Sequence, residues 1–255
     1  MTTTAEEARP RRGFASVVFD CDSTLVSVEG IDELAGDRID EVRRMTDLAM
    51  EGAMALEEVY GRRLALIDPT REELERISGI YRKSLVEDAR ETVAALRWLG
   101  KEVRIVSGGL RPPVEALAAE LGLAREHVAA VGIDFDGEGR YLDYERDSPL
   151  ARSGGKPDVI AAWRLPRPIL MVGDGSTDLE TRPVVDCFAA FMGVAHRPLV
   201  AAGADVVLTA PSLAPVLSLA SSPIDRGRLR GTPWETLLAR GDALLAAASE
   251  ASRGD

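Results

Sequence analysis

The chain has 255 residues, enough for one large domain or two modest ones, and 45% of them are apolar. That supply excludes disorder as the main state, and a chain this long can build a core without disulfide or metal staples. With 31 basic and 42 acidic side chains the net charge is −11, which disfavours DNA, RNA or an anionic membrane surface as partner.

Two cysteines, Cys21 and Cys187, cannot form a disulfide framework. The opening MTTTAEEARPRR lacks the apolar core of a signal peptide, and no run of about 18 apolar residues marks a membrane span. A cytoplasmic location with reduced thiols is the expectation. His127 and His196 are the only histidines, so carboxylates come first as candidates for chemistry.

Residues 1–12 are polar and charged and read as a disordered tail. ASVVFD at 15–20 is a short β-branched run ending in an acid, the pattern of a buried parallel strand. From 28 to 85 the apolar spacing is helical. DPTREELERI carries a helix start there, with Thr70 as cap and Glu73 three residues on. Strand and helix then alternate. The pattern predicts a helix over 89–100 stopped by Gly100, a strand over 102–107 and a helix over 112–123. A hairpin around Asp136-Gly137 follows within 131–145, then a helix over 156–163 and strands over 168–174, 186–191 and 204–208.

This alternation predicts an α/β fold, a Rossmann-like doubly wound parallel sheet with helices on both faces. The helical segment is too long for a crossover and reads as an inserted cap subdomain. The layout is a core at 13–27 and 86–220, a cap at 28–85, and a linker with a C-terminal helix at 221–255. SSPIDRGRLRGTP at 221–233 reads as the linker. Beyond it Trp234, Leu237, Leu238, Leu244, Leu245 and Ala248 share one helical face. That face either docks on the core or pairs with a second copy in a homodimer. Gly241 in its middle costs about 1 kcal/mol against Ala, so the helix needs packing to hold it.

In a parallel sheet, ligands gather outside the carboxyl ends of the strands. The first strand delivers Asp20, Asp22, Ser23 and Thr24 there. The next delivers Ser107, Gly108 and Gly109, and a later one Gly173 through Asp178. Four acids at one edge repel, and burying them unpaired costs several kcal/mol per charge. A hard divalent cation relieves this; Mg²⁺ takes one or two carboxylates, a carbonyl and phosphate oxygens. Asp20 and Asp22 either flank one substrate atom, one attacking while the other moves protons, or cap a helix. Ser107-Gly108-Gly109 offers a hydroxyl and free backbone N–H groups to a phosphate, or forms an ordinary turn. Lys156 opens a helix, where a cation opposes the dipole, so its charge either serves an anion or is solvated.

The strings FDCDSTLVSVEGIDELA (19–35), VSGG (106–109), SGGK (153–156) and GDGSTDLE (173–180) come in the order and spacing of the haloacid dehalogenase superfamily of phosphatases. VEGIDELA (28–35), RRMTDLAMEGAM (43–54) and RLALIDPTREEL (63–74) resemble the helical cap of its phosphoserine phosphatase family. The resemblance covers about 14–219 and implies that fold and a phosphoric monoester hydrolase. Its reaction would be Mg²⁺-dependent hydrolysis of O-phospho-L-serine to serine and phosphate through an aspartyl-phosphate, in serine biosynthesis.

The resemblance further implies that Asp20 is the nucleophile and Asp22 the general acid and base. Mg²⁺ would take Asp20, the Asp22 carbonyl and Asp174, while Asp178 holds metal-bound water or orients Lys156. Ser107, Gly108 and Lys156 would bind phosphoryl oxygens, and Thr177, where many relatives have Asn, keeps a hydroxyl for phosphate or substrate. Glu29 would take the substrate ammonium and Arg63 its carboxylate, with Met50 and Gly52 lining the lid. Leu56 stands where an aromatic residue is expected, Pro157 where Gly is usual, and the segment beyond about 220 has no counterpart. Two other functions stay open: action on another small phosphomonoester, with transfer to water or an alcohol, and a phospho-accepting signalling domain. Asp22 and the cap argue against the second.

Overall fold

The structure is a computed structural model that describes residues 10–50, 53–54 and 56–251. The tail expectation for residues 1–9 and the lid residue Gly52 lie outside the described residues. In chain order, β1 (Ser16–Phe19) leads into four helices, α1 (Gly30–Leu34), α2 (Ile39–Met50), α3 (Leu56–Ile67) and α4 (Arg71–Lys83). Next come α5 (Ala89–Trp98), β2 (Glu102–Leu110), α6 (Arg111–Glu120), β3 (Val128–Val131) and a hairpin of β4 (Ile133–Phe135) and β5 (Tyr141–Tyr144). The chain continues through α7 (Gly155–Trp163), β6 (Ile169–Gly173), α8 (Ser176–Leu179), β7 (Cys187–Phe191), α9 (Pro198–Gly203) and β8 (Val206–Leu208). It closes with α10 (Ala214–Ala220), α11 (Pro223–Leu229) and α12 (Glu235–Ala251).

The six-stranded sheet has the order β3-β2-β1-β6-β7-β8, and every pairing in it is parallel. β1 and β6 are buried at every residue, which is why their sequences do not alternate polar with apolar. The chain lays strands outward from β1 in one direction, then returns to β6 and builds the other way. Between the carboxyl ends of β1 and β6 the covering loops diverge, and this switch point is where ligands bind in open α/β sheets.

Helices α1–α4 leave and rejoin the core at an antiparallel bridge between Val26 and Leu85. The start of α4 follows the sequence closely: Thr70 and Glu73 form the reciprocal capping box, worth about 1 kcal/mol. The hairpin touches this cap. The Arg71 N–H donates to the Gly139 carbonyl at 2.9 Å, and the Tyr60 and Tyr144 rings lie 5.1 Å apart.

The structure departs from expectation at four places. β2 runs on to Leu110 with a bulge between Val106 and Leu110, so Ser107, Gly108 and Gly109 belong to the strand rather than to a turn after it. β3 was not foreseen, because VAAV is short and half alanine; it forms as an edge strand on β2. Residues 221–233 are not a linker. Ser222 accepts from the Asp225 N–H at 3.1 Å while Asp225 accepts from the Ser222 N–H at 2.9 Å, and Pro223 opens α11. The segment's Pro and Gly masked this box. Residues 10–12 also form a turn, with the Gly13 N–H donating to the Pro10 carbonyl at 2.8 Å.

The C-terminal helix docks on its own core. Leu237, Leu238 and Leu245 are buried, and the Trp234 ring meets Trp98 at 5.2 Å. A Cβ on Gly241 would lie 2.4 Å from the Ala214 carbonyl oxygen, so glycine lets α12 approach the backbone of α10 directly. Cys21 and Cys187 are both buried and free. Among the described residues no helix is long and apolar enough to cross a membrane.

Candidate active site

Past β1 the chain turns tightly. The Thr24, Leu25 and Val26 N–H groups all point to the Cys21 carbonyl. Ser23 takes φ +53°, a left-handed conformation that a side chain rarely adopts. The turn holds Asp20 and Asp22 at the switch point, both buried, and turns Cys21 into the core. The Ser23 hydroxyl donates to Glu29 at 2.6 Å and so ties the turn to the start of the cap.

Lys156, near the start of α7, reaches the same point from below. Its ammonium lies 2.8 Å from Asp20 and 2.6 Å from Asp178. Burial pulls its pKa down, but the two carboxylates outweigh burial and the net shift is upward. Lys156 is therefore a fixed cation. The second oxygen of Asp178 accepts the Gly175 N–H at 2.9 Å, so both of its oxygens are engaged. The contact with Lys156 is the one that the orienting role expected for Asp178 requires.

Asp174 follows β6 and is 2% exposed. The Thr24 hydroxyl donates to one of its oxygens at 3.1 Å and the Arg197 Nε to the other at 3.0 Å. Burial first, and the Asp178 carboxylate second, push its pKa up to about 6. Burial and Asp178 likewise drive Asp20 well above the ordinary carboxylate range, against the opposing pull of Lys156.

Burial of these neighbouring carboxylates leaves the site short of positive charge. Asp20, Asp174 and Asp178 each offer a carboxylate oxygen, all within 4.8 Å of one another and all buried. The donors are hard oxygens, the set a small divalent cation prefers. The residues therefore fit a divalent metal.

The cap forms the opposite wall. Arg63 is 3% exposed; one guanidinium nitrogen donates to the Thr46 hydroxyl at 2.9 Å, while its Nε is buried with no partner among the described residues. The Thr46 hydroxyl in turn donates to Asp32 at 2.7 Å, a brace for the arginine. Burial, then the neighbouring Asp22 and Asp174 carboxylates, raise the Glu29 pKa well above its ordinary value. Asp20, Asp22, Glu29, Ile31, Arg63, Ser107, Gly108, Gly109, Lys156 and Thr177 together line one cavity. Eight of the expected site residues, all but Gly109 and Ile31 among these, thus converge from both walls. The Gly109 N–H is not free for an anion, however: it donates to the Ser107 hydroxyl at 2.9 Å, a consequence of the bulge. Met50 ends α2, and its side chain, like that of Leu56, lies outside the described residues.

Sequence reasoning missed three residues. Arg197 bridges the two walls, 3.0 Å from Asp174 and 3.8 Å from Glu29. It stands beyond the carboxyl end of β7, so the strand-end rule that found Asp20 and Asp174 finds it too once applied there. Thr24 stands beyond the end of β1, where nothing local signals that its hydroxyl reaches Asp174. Tyr81, which donates its hydroxyl to Asp22, carries no local signal, because in α4 it reads as one more apolar-face residue.

Comparison with known proteins agrees with this geometry. The haloacid dehalogenase-like hydrolase family profile matches residues 17–182. The phosphoserine phosphatase of Bos taurus is 38% identical over 199 residues, covering 76% of this chain and 88% of the relative. The chloroplastic phosphoserine phosphatase of Arabidopsis thaliana is 36% identical over 204 residues, 76% of this chain and 68% of the relative. Among solved structures, a phosphoserine phosphohydrolase-like protein from Francisella tularensis superposes with a TM-score of 0.74 at 26% identity, over 81% of this chain and 99% of that one. A phospho-aspartyl intermediate analogue of phosphoserine phosphatase gives 0.72 at 26% identity, over 83% and 100%. The chain belongs to the haloacid dehalogenase-like hydrolases, with phosphoserine phosphatases as its relatives.

Proposed function

We propose that this protein is a Mg²⁺-dependent phosphoserine phosphatase of the cytoplasm, and that it cleaves O-phospho-L-serine into serine and phosphate. The observation that carries this reading is the cavity with two differently charged walls. The core wall presents Asp20, Asp22, Ser107 and Lys156, suited to a phosphoryl group. The cap wall presents Glu29, an acid, and Arg63, a buried arginine whose Nε–H has no partner among the described residues. A zwitterion with a phosphate at one end needs that arrangement: carboxylate for its ammonium, guanidinium for its carboxylate.

In this mechanism Asp20 attacks phosphorus in line and becomes an aspartyl-phosphate. Asp22 gives a proton to the departing seryl oxygen, then takes one from the water that cleaves the intermediate. Lys156 and Ser107 hold phosphoryl oxygens, Gly108 and Thr177 border them, and Asp178 keeps Lys156 in place. A divalent cation, Mg²⁺ in this reading, would be held by Asp20, Asp174 and the Asp22 carbonyl and supplies positive charge against the phosphoryl oxygens. The cavity measures about 30 Å³, room for about one water and far below the roughly 300 Å³ of a small-molecule site. Substrate entry therefore requires the cap to lift. The two buried free thiols accord with a reducing compartment.

The test is turnover by purified protein with Mg²⁺ and with EDTA, on phosphoserine, phosphoethanolamine and phospholactate. The last two each lack one charged end. Phosphoserine should be preferred by roughly 100-fold or more in kcat/KM, since a buried charged group left unpaired costs several kcal/mol. Arg63→Ala should erase the preference over phosphoethanolamine. Equal activity on all three substrates would end the zwitterion reading.

A further inference from the structure

Among the described residues two donors hold Asp22, and both belong to the cap. The Gly30 N–H donates to Oδ2 at 3.1 Å, and the Tyr81 hydroxyl donates to Oδ1 in a very short contact. Tyr81 sits on α4, 59 residues along the chain from Asp22, and is fully buried. A buried tyrosine hydroxyl needs a partner, and the partner it has is the carboxylate assigned to proton transfer. The approach is also built into the neighbouring backbone. A Cβ on Gly30 would lie 2.1 Å from the Tyr81 hydroxyl oxygen, so only glycine at that position leaves the path open.

We propose that Tyr81 is a positioning residue for Asp22, through which closure of the cap orients the group that moves protons. The carboxylate has one torsional freedom that matters, rotation of its plane. One donor on each oxygen, both from the cap, locks that plane when the cap is down and releases it when the cap lifts. Acid–base chemistry is then assembled only with the cap down, and wasteful attack by bulk water on an open site is suppressed.

Proton and electron accounts close without Tyr81 giving anything up. As a carboxylate oxygen of Asp20 forms its bond to phosphorus, the seryl P–O bond breaks; its electron pair stays on the seryl oxygen, which takes the proton from Asp22. When water attacks the aspartyl-phosphate, its proton goes to Asp22, the new P–O bond forms, and the electron pair of the Asp20–P bond returns to the Asp20 carboxylate. Tyr81 keeps its proton throughout.

This inference rests on the phosphatase reading, and the test separates the two. Tyr81→Phe removes only the hydroxyl. On phosphoserine its kcat should fall roughly 10- to 100-fold, part of the 10²–10⁴ that positioned acid–base groups contribute, with KM within about twofold of wild type. On p-nitrophenyl phosphate the leaving phenolate needs no proton, but cleavage of the intermediate still needs Asp22. Tyr81→Phe should therefore release one p-nitrophenolate per enzyme in a burst and then turn over slowly. Gly30→Ala, which displaces the hydroxyl while keeping the tyrosine, should reproduce the burst and serves if Tyr81→Phe does not fold. A kcat within twofold of wild type, or a uniform slowing of both phases without a burst, overturns the proposal. Wild-type turnover of p-nitrophenyl phosphate without turnover of phosphoserine would instead sink the substrate assignment and leave the burst comparison readable.

Discussion

Removing the divalent cation should invert the way stability depends on pH. Asp174 is pushed up to about 6 from an ordinary 3.8. A shift of about 2 units corresponds to about 3 kcal/mol. The sign follows from linkage: the folded site binds the proton more tightly than the unfolded chain. That stabilisation is fully present below about pH 3.8 and is lost as pH rises through about 6. Roughly 1.4 kcal/mol of it falls between pH 5 and pH 7.5. Asp20 and Glu29 are shifted in the same direction and add to it. The carboxylates that are depressed, such as Asp136, Asp143 and Asp225, act below this window. In EDTA the melting temperature should therefore rise by at least about 3 °C on going from pH 7.5 to pH 5, at about 2–4 °C per kcal/mol for a chain of this size. Saturating Mg²⁺ should add about 2.7 kcal/mol at one hundred times its Kd at pH 7.5, and much less at pH 5, where Asp174 is protonated. Thermal unfolding at the two pH values, with Mg²⁺ and with EDTA, reads all four numbers. Metal-free protein that melts no higher at pH 5 than at pH 7.5 would refute the picture of an anionic site short of cations.

Asp20→Asn should abolish turnover, yet melt no lower than wild type in EDTA at pH 7.5, because it removes one of three crowded acids. Lys156→Met leaves Asp20 and Asp178 buried without their shared cation; it should cost about 3 kcal/mol in metal-free unfolding and gain more from Mg²⁺ than wild type does. Gly241→Ala would stabilise an ordinary helix by about 1 kcal/mol. Here the methyl would meet the Ala214 carbonyl, so denaturant unfolding should show a loss of about 1–3 kcal/mol. Arg63→Lys should raise KM for phosphoserine roughly tenfold or more while leaving kcat on p-nitrophenyl phosphate near wild type, since an ammonium cannot reproduce the guanidinium fork braced by Thr46.

Much of this protein is legible in local sequence because the relevant physics is local. The continuous apolar run before Asp20 announces a strand buried on both faces. The Thr70–Glu73 spacing announces the start of α4, and the alternation of strand and helix sets the sheet class. The strand-end rule then collects Asp20, Asp22, Ser107 and Asp174 without any coordinates. Ser222 and Asp225 show the limit of such reading: their capping box was present, but proline and glycine nearby made the segment look like a linker.

Pairings across long stretches of chain were decided only by tertiary packing. Nothing in α4 marks Tyr81 as other than a core residue until the cap folds over and brings its hydroxyl to Asp22. Arg197 acquires its role only because β7 lies beside β6, which carries its guanidinium to Asp174 and on toward Glu29. The imbalance of charge likewise takes its meaning from the fold. The sequence determined that the protein is acidic and that acids crowd one sheet edge. The fold decided that Lys156 and Arg197 are buried among them, because only in three dimensions can desolvation and opposite charge be weighed at the same point.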